Sequence, residues 1–80
     1  MPRFYFPIAD AQGWIPDEEG VELPDNQAAA GEARATARDL AATMLREGKE
    51  VDGRRVLVIS DGGRLVCEVP VKLALSVTRH

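Results

Sequence analysis

Read for its alternation of apolar and polar positions, the chain opens with an extended segment. In Arg3-Phe4-Tyr5-Phe6-Pro7-Ile8 the residues Phe4, Phe6 and Ile8 share one face, while Arg3, Tyr5 and Pro7 share the other. That pattern predicts a strand. Pro7 has no N–H to donate, so the strand is expected at a sheet edge, or paired at that point only on the side its neighbours serve. Asp10-Ala11-Gln12-Gly13 predicts a turn. Trp14-Ile15 and Val21-Glu22-Leu23 are short apolar patches around Pro16-Asp17-Glu18-Glu19-Gly20, which suits a brief hairpin return and a tethered loop.

A helix is predicted from an N-cap at Asp25, just after Pro24, to a stop at Gly48 in the C′ position. The intervening residues are mostly alanine, leucine, arginine and glutamate, all good helix formers. At about 100° per residue, Ala30, Ala33, Ala37, Leu40, Ala41 and Met44 fall within one arc, the expected buried face. Small alanines there would let the helix approach a sheet closely.

Arg55-Val56-Leu57-Val58-Ile59-Ser60 is apolar on both faces and predicts a central strand. Asp61-Gly62-Gly63 is a hairpin signal, because Asp and Gly tolerate the positive φ values of tight turns. The return, Arg64 to Val71, alternates with Leu65, Cys67, Val69 and Val71 on one face, and Pro70 points to a strand end or edge. The tail, Lys72-Leu73-Ala74-Leu75-Ser76-Val77, fits either a last strand or a short helical turn. The predicted fold is therefore α+β: an antiparallel sheet of three to four strands in the order β-β-α-β-β, with one long amphipathic helix on one face. The other face is left without a cover. Val56, Val58, Val66 and Tyr5 would then line an open apolar surface, with the alternating sets interchangeable at this stage.

Composition tightens this picture. Of 80 residues 45% are hydrophobic, 36 in number, but 11 of those are alanine, so 25 bulky apolar side chains remain to exclude water. That is one small domain, spanning residues 1–80, with little room for a deep catalytic cavity. Residues 1–30 carry six acids against Arg3 alone, whereas residues 31–80 carry seven acids against nine bases. In so small a domain such asymmetry points to self-complementarity. The net charge of −3 opposes the basic footprint of a dedicated nucleic-acid binder. Nothing in the chain reads as a membrane span or a signal peptide, so a cytoplasmic protein is expected.

Candidate chemistry is sparse. The single histidine, His80, is terminal, and the single cysteine, Cys67, lies in an apolar alternation where a packed neutral thiol is expected. The acids Asp17, Glu18, Glu19, Glu22 and Asp25 lack the alternating pattern of a calcium loop and read as solvated. No metal, no cofactor and no catalytic residue is therefore assigned. Arg34, Arg38, Arg54, Arg55 and Arg64, with Lys49, offer a basic strip along the helix shoulder and hairpin. Without an aromatic nucleic-acid motif they read as stems covering apolar surface. Trp14 is either a plug at the end of the core or a partly exposed anchor.

The opening Met1-Pro2-Arg3-Phe4-Tyr5-Phe6, the segment from Pro16 through Glu19-Gly20 to Leu23-Pro24-Asp25, and Val51-Asp52-Gly53-Arg54-Arg55-Val56 together resemble a family of small bacterial proteins of this length, a domain of unknown function. The resemblance covers nearly the whole chain and implies no activity or catalytic residue. At Pro7 the chain departs from the family pattern, which leaves the length of the first strand open. The layout of aromatic strand, acidic turn and alanine-rich helix is also similar to the N-terminal half of HicB-type antitoxins, which implies toxin binding through sheet and helix. The leading expectation is a non-enzymatic module that associates with itself as a dimer, or with a protein partner, through a sheet edge or the open face. Tyr5, Trp14, Val56, Val58 and Val66 are its candidate contacts. The alternative is arginine-mediated binding of nucleic acid or an acidic ligand.

Overall fold

A computed structural model describes residues 1–49 and 53–72. It is an α+β fold of one helix on an antiparallel sheet: β1 (Arg3–Tyr5), β2 (Ile8–Asp10), β3 (Gly13–Ile15), β4 (Val21–Glu22), α1 (Asn26–Arg46), β5 (Arg55–Ser60) and β6 (Leu65–Pro70). Six strands, not three to four, result because two extended stretches are each broken in the middle. β5 is the hub. On one side it pairs with β6, on the other with both β1 and β2. Phe4 faces Ser60, Tyr5 faces Ile59, Ile8 faces Val56 and Ala9 faces Arg55, so β1 and β2 lie on one line in one register.

Phe6 and Pro7 interrupt that line. Pro7 still accepts the N–H of Leu57 at 2.9 Å, and only the reciprocal bond is lost to the missing N–H. The line is interior because β3 and β4 pair along its outer side, so of the two expectations from Pro7 the sheet edge fails, while at Pro7 itself the chain bonds to β5 alone, the second expectation. The strand tolerates the proline by letting the ladder lapse there.

The helix starts and stops where its caps dictate. The Asp25 carboxylate accepts the N–H of Ala28 at 2.8 Å. At the other end Gly48 takes φ +72°, its N–H bonds to the Leu45 carbonyl, and the N–H of Lys49 reaches the Met44 carbonyl at 2.8 Å. This is a Schellman stop.

Ala29, Ala33, Ala37, Ala41 and Met44 are the buried helix residues. Ala29 replaces Ala30 in the predicted stripe, and Leu40 packs only partly buried against the core. The i, i+4 row forms a ridge inclined to the helix axis, a better match to a twisted sheet than a straight arc. α1 lies chiefly over β5 and β6. The core joins the four alanines to Phe4, Val56, Val58 and Val71.

The β5–β6 hairpin closes through the Ser60 N–H to the Arg64 carbonyl and the Gly63 N–H to the Ser60 carbonyl, with Gly63 at φ +83°. Its ladder then slips by one residue. Ile59 faces Leu65 but Val58 faces Cys67, which leaves Val66 as the extra residue of a β-bulge. After Pro70, Val71 and Lys72 turn helical, and the tail from residue 73 lies outside the described residues.

Candidate interaction surface: the uncovered sheet face

The registers sort the sheet residues into two faces. Phe4, Phe6, Ile8, Val56, Val58, Cys67 and Val69 point toward the helix layer, where all of them join or pack against the core. Tyr5, Pro7, Leu57 and Ile59 point the other way, together with Trp14 opposite Ala9 and Leu65 opposite Ile59. No element of the described residues covers this second face.

Val56 and Val58 are 0% exposed, so they are removed from the candidate contacts, and Val66 packs against the core from the bulge. Leu57 and Ile59 take their place. The bulge is the physical reason. Carried back from the turn without an extra residue, the register would set Val56 opposite Glu68 and Val58 opposite Val66. The slip instead sets Leu57 opposite Glu68 and Val58 opposite Cys67.

Tyr5 and Trp14 keep their place on the surface. Trp14 is 62% exposed and is no core plug, and Leu65 is 51% exposed. A shallow groove of about 370 Å³ lies on this face, lined by Tyr5, the buried Pro7, Trp14, Pro16 and Ile59, together with Asp17, Ser60, Asp61 and Gly63. Leu57, Ile59 and Leu65 are the interchanged set that the sequence left open, and Pro7 and Pro16 are members it did not name. A signal was present in Glu68, a charge that must sit on the open side, but its cross-strand partner depends on the bulge.

The groove wall is held by a polar knot. Where Phe6 and Pro7 interrupt the strand line, the loop between β3 and β4 folds in, and the Asp17 carboxylate accepts the N–H groups of Phe6 at 2.9 Å and of Glu19 and Gly20 at 3.2 Å. Burial pushes the Asp17 pKa upward and is the largest single influence. The N–H groups of Phe6, Gly20 and Glu19 together outweigh it and hold the carboxyl below its ordinary value. Gly20 at φ +70° lies under the Tyr5 ring: a Cβ there would come within 2.7 Å of the Phe4 carbonyl oxygen and 2.9 Å of the ring. Arg3 completes the knot, donating to the Glu19 carbonyl at 2.7 Å and pairing with Glu22 at 3.5 Å. Within the acidic segment Asp17 is thus architectural, whereas Glu18, Glu19, Glu22 and Asp25 are exposed, as expected of solvated acids.

The arginines are not gathered into one strip. Arg34 and Arg38 are exposed on the helix, Arg55 pairs with Glu68 at 3.1 Å on the opposite side of the sheet, and Arg54 lies 3.9 Å from Asp10. Arg64 sits at the turn, one hairpin length from Arg55, or roughly 20 Å at about 3.4 Å per residue. Lys49 pairs with Glu47. Among the described residues no three His, Cys, Asp or Glu side chains converge as a metal site, and no helix is long and apolar enough to cross a membrane. Cys67 is a free, half-buried thiol packed against the core, and His80 lies outside the described residues.

Among known families, the model of a domain of unknown function (DUF6894) matches residues 3–72. No curated protein and no solved structure matches the chain.

Proposed function

We propose, from the premise that this chain belongs to the domain-of-unknown-function family DUF6894, that it is a cytoplasmic, non-enzymatic module acting by protein association through its uncovered sheet face. One observation carries the reading: a second sheet face, built from Tyr5, Leu57, Ile59, Leu65 and Trp14, has no covering layer among the described residues. Trp14 and Leu65 are exposed on it while Tyr5, Leu57 and Ile59 are half-buried, and apolar patches with such exposed members mark association sites.

The sheet edges support the face over the edge. β6 carries the bulge at Val66, a charge at Glu68 and a donor-less Pro70, three devices that discourage strand addition. At the opposite edge β3 and β4 are separate short strands, parted by the Asp17 loop. Arginine-mediated binding gains no observation, since its residues lie on different layers and several are paired.

The test is positional. A photo-reactive phenylalanine analogue is placed at Leu65 in one variant and at Arg38 in another, in cells that make the protein natively. Discrete cross-linked species, self or hetero, are expected from Leu65 and not from Arg38. Equal yields from both positions, or none from Leu65, would overturn the reading.

A further inference from the structure

The groove on the open face has a chemistry of its own. Its walls are two aromatic rings and two prolines, Tyr5, Trp14, Pro7 and Pro16, and its charged members are the carboxylates of Asp17 and Asp61, with no cation among the lining residues. Asp17 is committed to three backbone N–H groups, whereas the Asp61 carboxylate is exposed and has no hydrogen bond or ion pair with any described residue. The Trp14 indole N–H and the Tyr5 hydroxyl are likewise without partners among the described residues. The groove therefore offers apolar surface, two unpaired donors, and one free negative charge.

An extended polyproline II segment is the complement of that set. Its backbone makes no internal hydrogen bonds, so its carbonyls are available to donors, and its prolines bring apolar rings without bringing N–H groups. The dimensions agree. Trp14 sits opposite Ala9, four positions along the strand line from Tyr5, a separation of roughly 14 Å at about 3.4 Å per residue. At about 3.1 Å per residue, four to five residues of polyproline II span it. Asp61, two residues past Ile59 in the chain, is also on the lining, where a further residue of such a segment would be met by a carboxylate.

We propose that this groove binds a proline-rich segment carrying lysine or arginine, with the prolines between Trp14 and Tyr5 and the cation over Asp61. The proposal rests on the association reading and adds the chemistry of the partner. The cation follows from the free Asp61 carboxylate, and a second copy of the chain has no such segment to supply, because its five prolines, Pro2, Pro7, Pro16, Pro24 and Pro70, lie at least five residues apart.

Trp14, the single tryptophan, is a built-in reporter. A synthetic proline-rich peptide ending in arginine is titrated into the full chain, alongside the same peptide with alanine for proline and one with glutamate for arginine. A saturable change in Trp14 emission is expected with the first peptide alone. Asp61→Lys, at an exposed turn position that leaves the fold intact, should weaken it at least about tenfold, and Arg38→Glu on the helix should leave it unchanged. Binding that survives Asp61→Lys, equal binding of the alanine peptide, or no saturable change would overturn the proposal. An emission change that follows protein concentration without peptide would do the same in favour of a second copy. If cross-linking from Leu65 succeeds while the peptide fails, the association reading stands and this partner class falls.

Discussion

The two faces of β5 differ by one residue of phase and by almost everything that follows from it. Val56 and Val58 are sealed under the alanine ridge of α1, while Leu57 and Ile59, side chains as apolar as theirs, are half-buried and meet no second layer among the described residues. Composition alone does not distinguish the two sets. What separates them is the layer: Ala29, Ala33, Ala37 and Ala41 bring the helix backbone close enough to seal the valines, and the fold has no second helix among the described residues for the leucine and isoleucine. Apolar character therefore means stability on one face and capacity for association on the other.

The most severe way to break the contrast is to place a charge on each face. Val58→Asp buries a carboxylate without a partner, a cost of several kcal/mol against a total stability of about 4–12 kcal/mol, and should unfold the domain. Leu57→Lys, one residue away and opposite Glu68, should stay folded with a change under about 1 kcal/mol. Circular dichroism of the pair decides the matter, and equal effects would dissolve the distinction between faces.

Next in size is the support beneath the open face. Gly20→Ala combines a φ of +70° with a Cβ that meets the Phe4 carbonyl and the Tyr5 ring, and a loss of about 2–4 kcal/mol in denaturant unfolding is expected. Asp17→Ala removes acceptors from three backbone N–H groups and should cost about 1–3 kcal/mol. Because the folded Asp17 pKa lies below its ordinary value of 3.8, its contribution is fully present above that pH and is lost as pH falls through the lower folded value. Asp17→Ala should therefore flatten this part of the acid unfolding profile. An unchanged profile would show that the knot contributes nothing.

The smallest expected effect is on stability at the surface itself. Trp14→Ala, at a side chain 62% exposed, should shift stability by no more than about 0.5 kcal/mol while abolishing cross-linking through the sheet face. A large thermal shift would return Trp14 to the core.

Much of the fold was legible because local rules agreed. Asp25, the alanine run and Gly48 mark the helix by capping and propensity, and each holds in the structure. The Asp61-Gly62-Gly63 turn likewise marks the hairpin. The face assignment was not legible, because it depends on a single unpaired residue, Val66, and nothing in an apolar run distinguishes a bulged valine from a paired one. Of the two placements that Pro7 allowed, one-sided pairing describes the strand and the sheet edge does not: a missing N–H forbids one hydrogen bond, but the neighbouring pairs hold the strand in the interior of the sheet. Of the candidate contacts, Tyr5 and Trp14 were named from sequence, and Leu57 and Ile59 belonged to the interchangeable set that it left open.

The Asp17 knot also bears on how this molecule would report itself in solution. The Phe6 amide belongs to no strand pair, yet a carboxylate 2.9 Å away accepts its hydrogen. In hydrogen–deuterium exchange it should behave as a slow amide in a position that a ladder diagram marks as open, and in Asp17→Ala it should become fast. An exchange map interpreted by strand membership alone would mistake a side-chain bond for a missing β-strand.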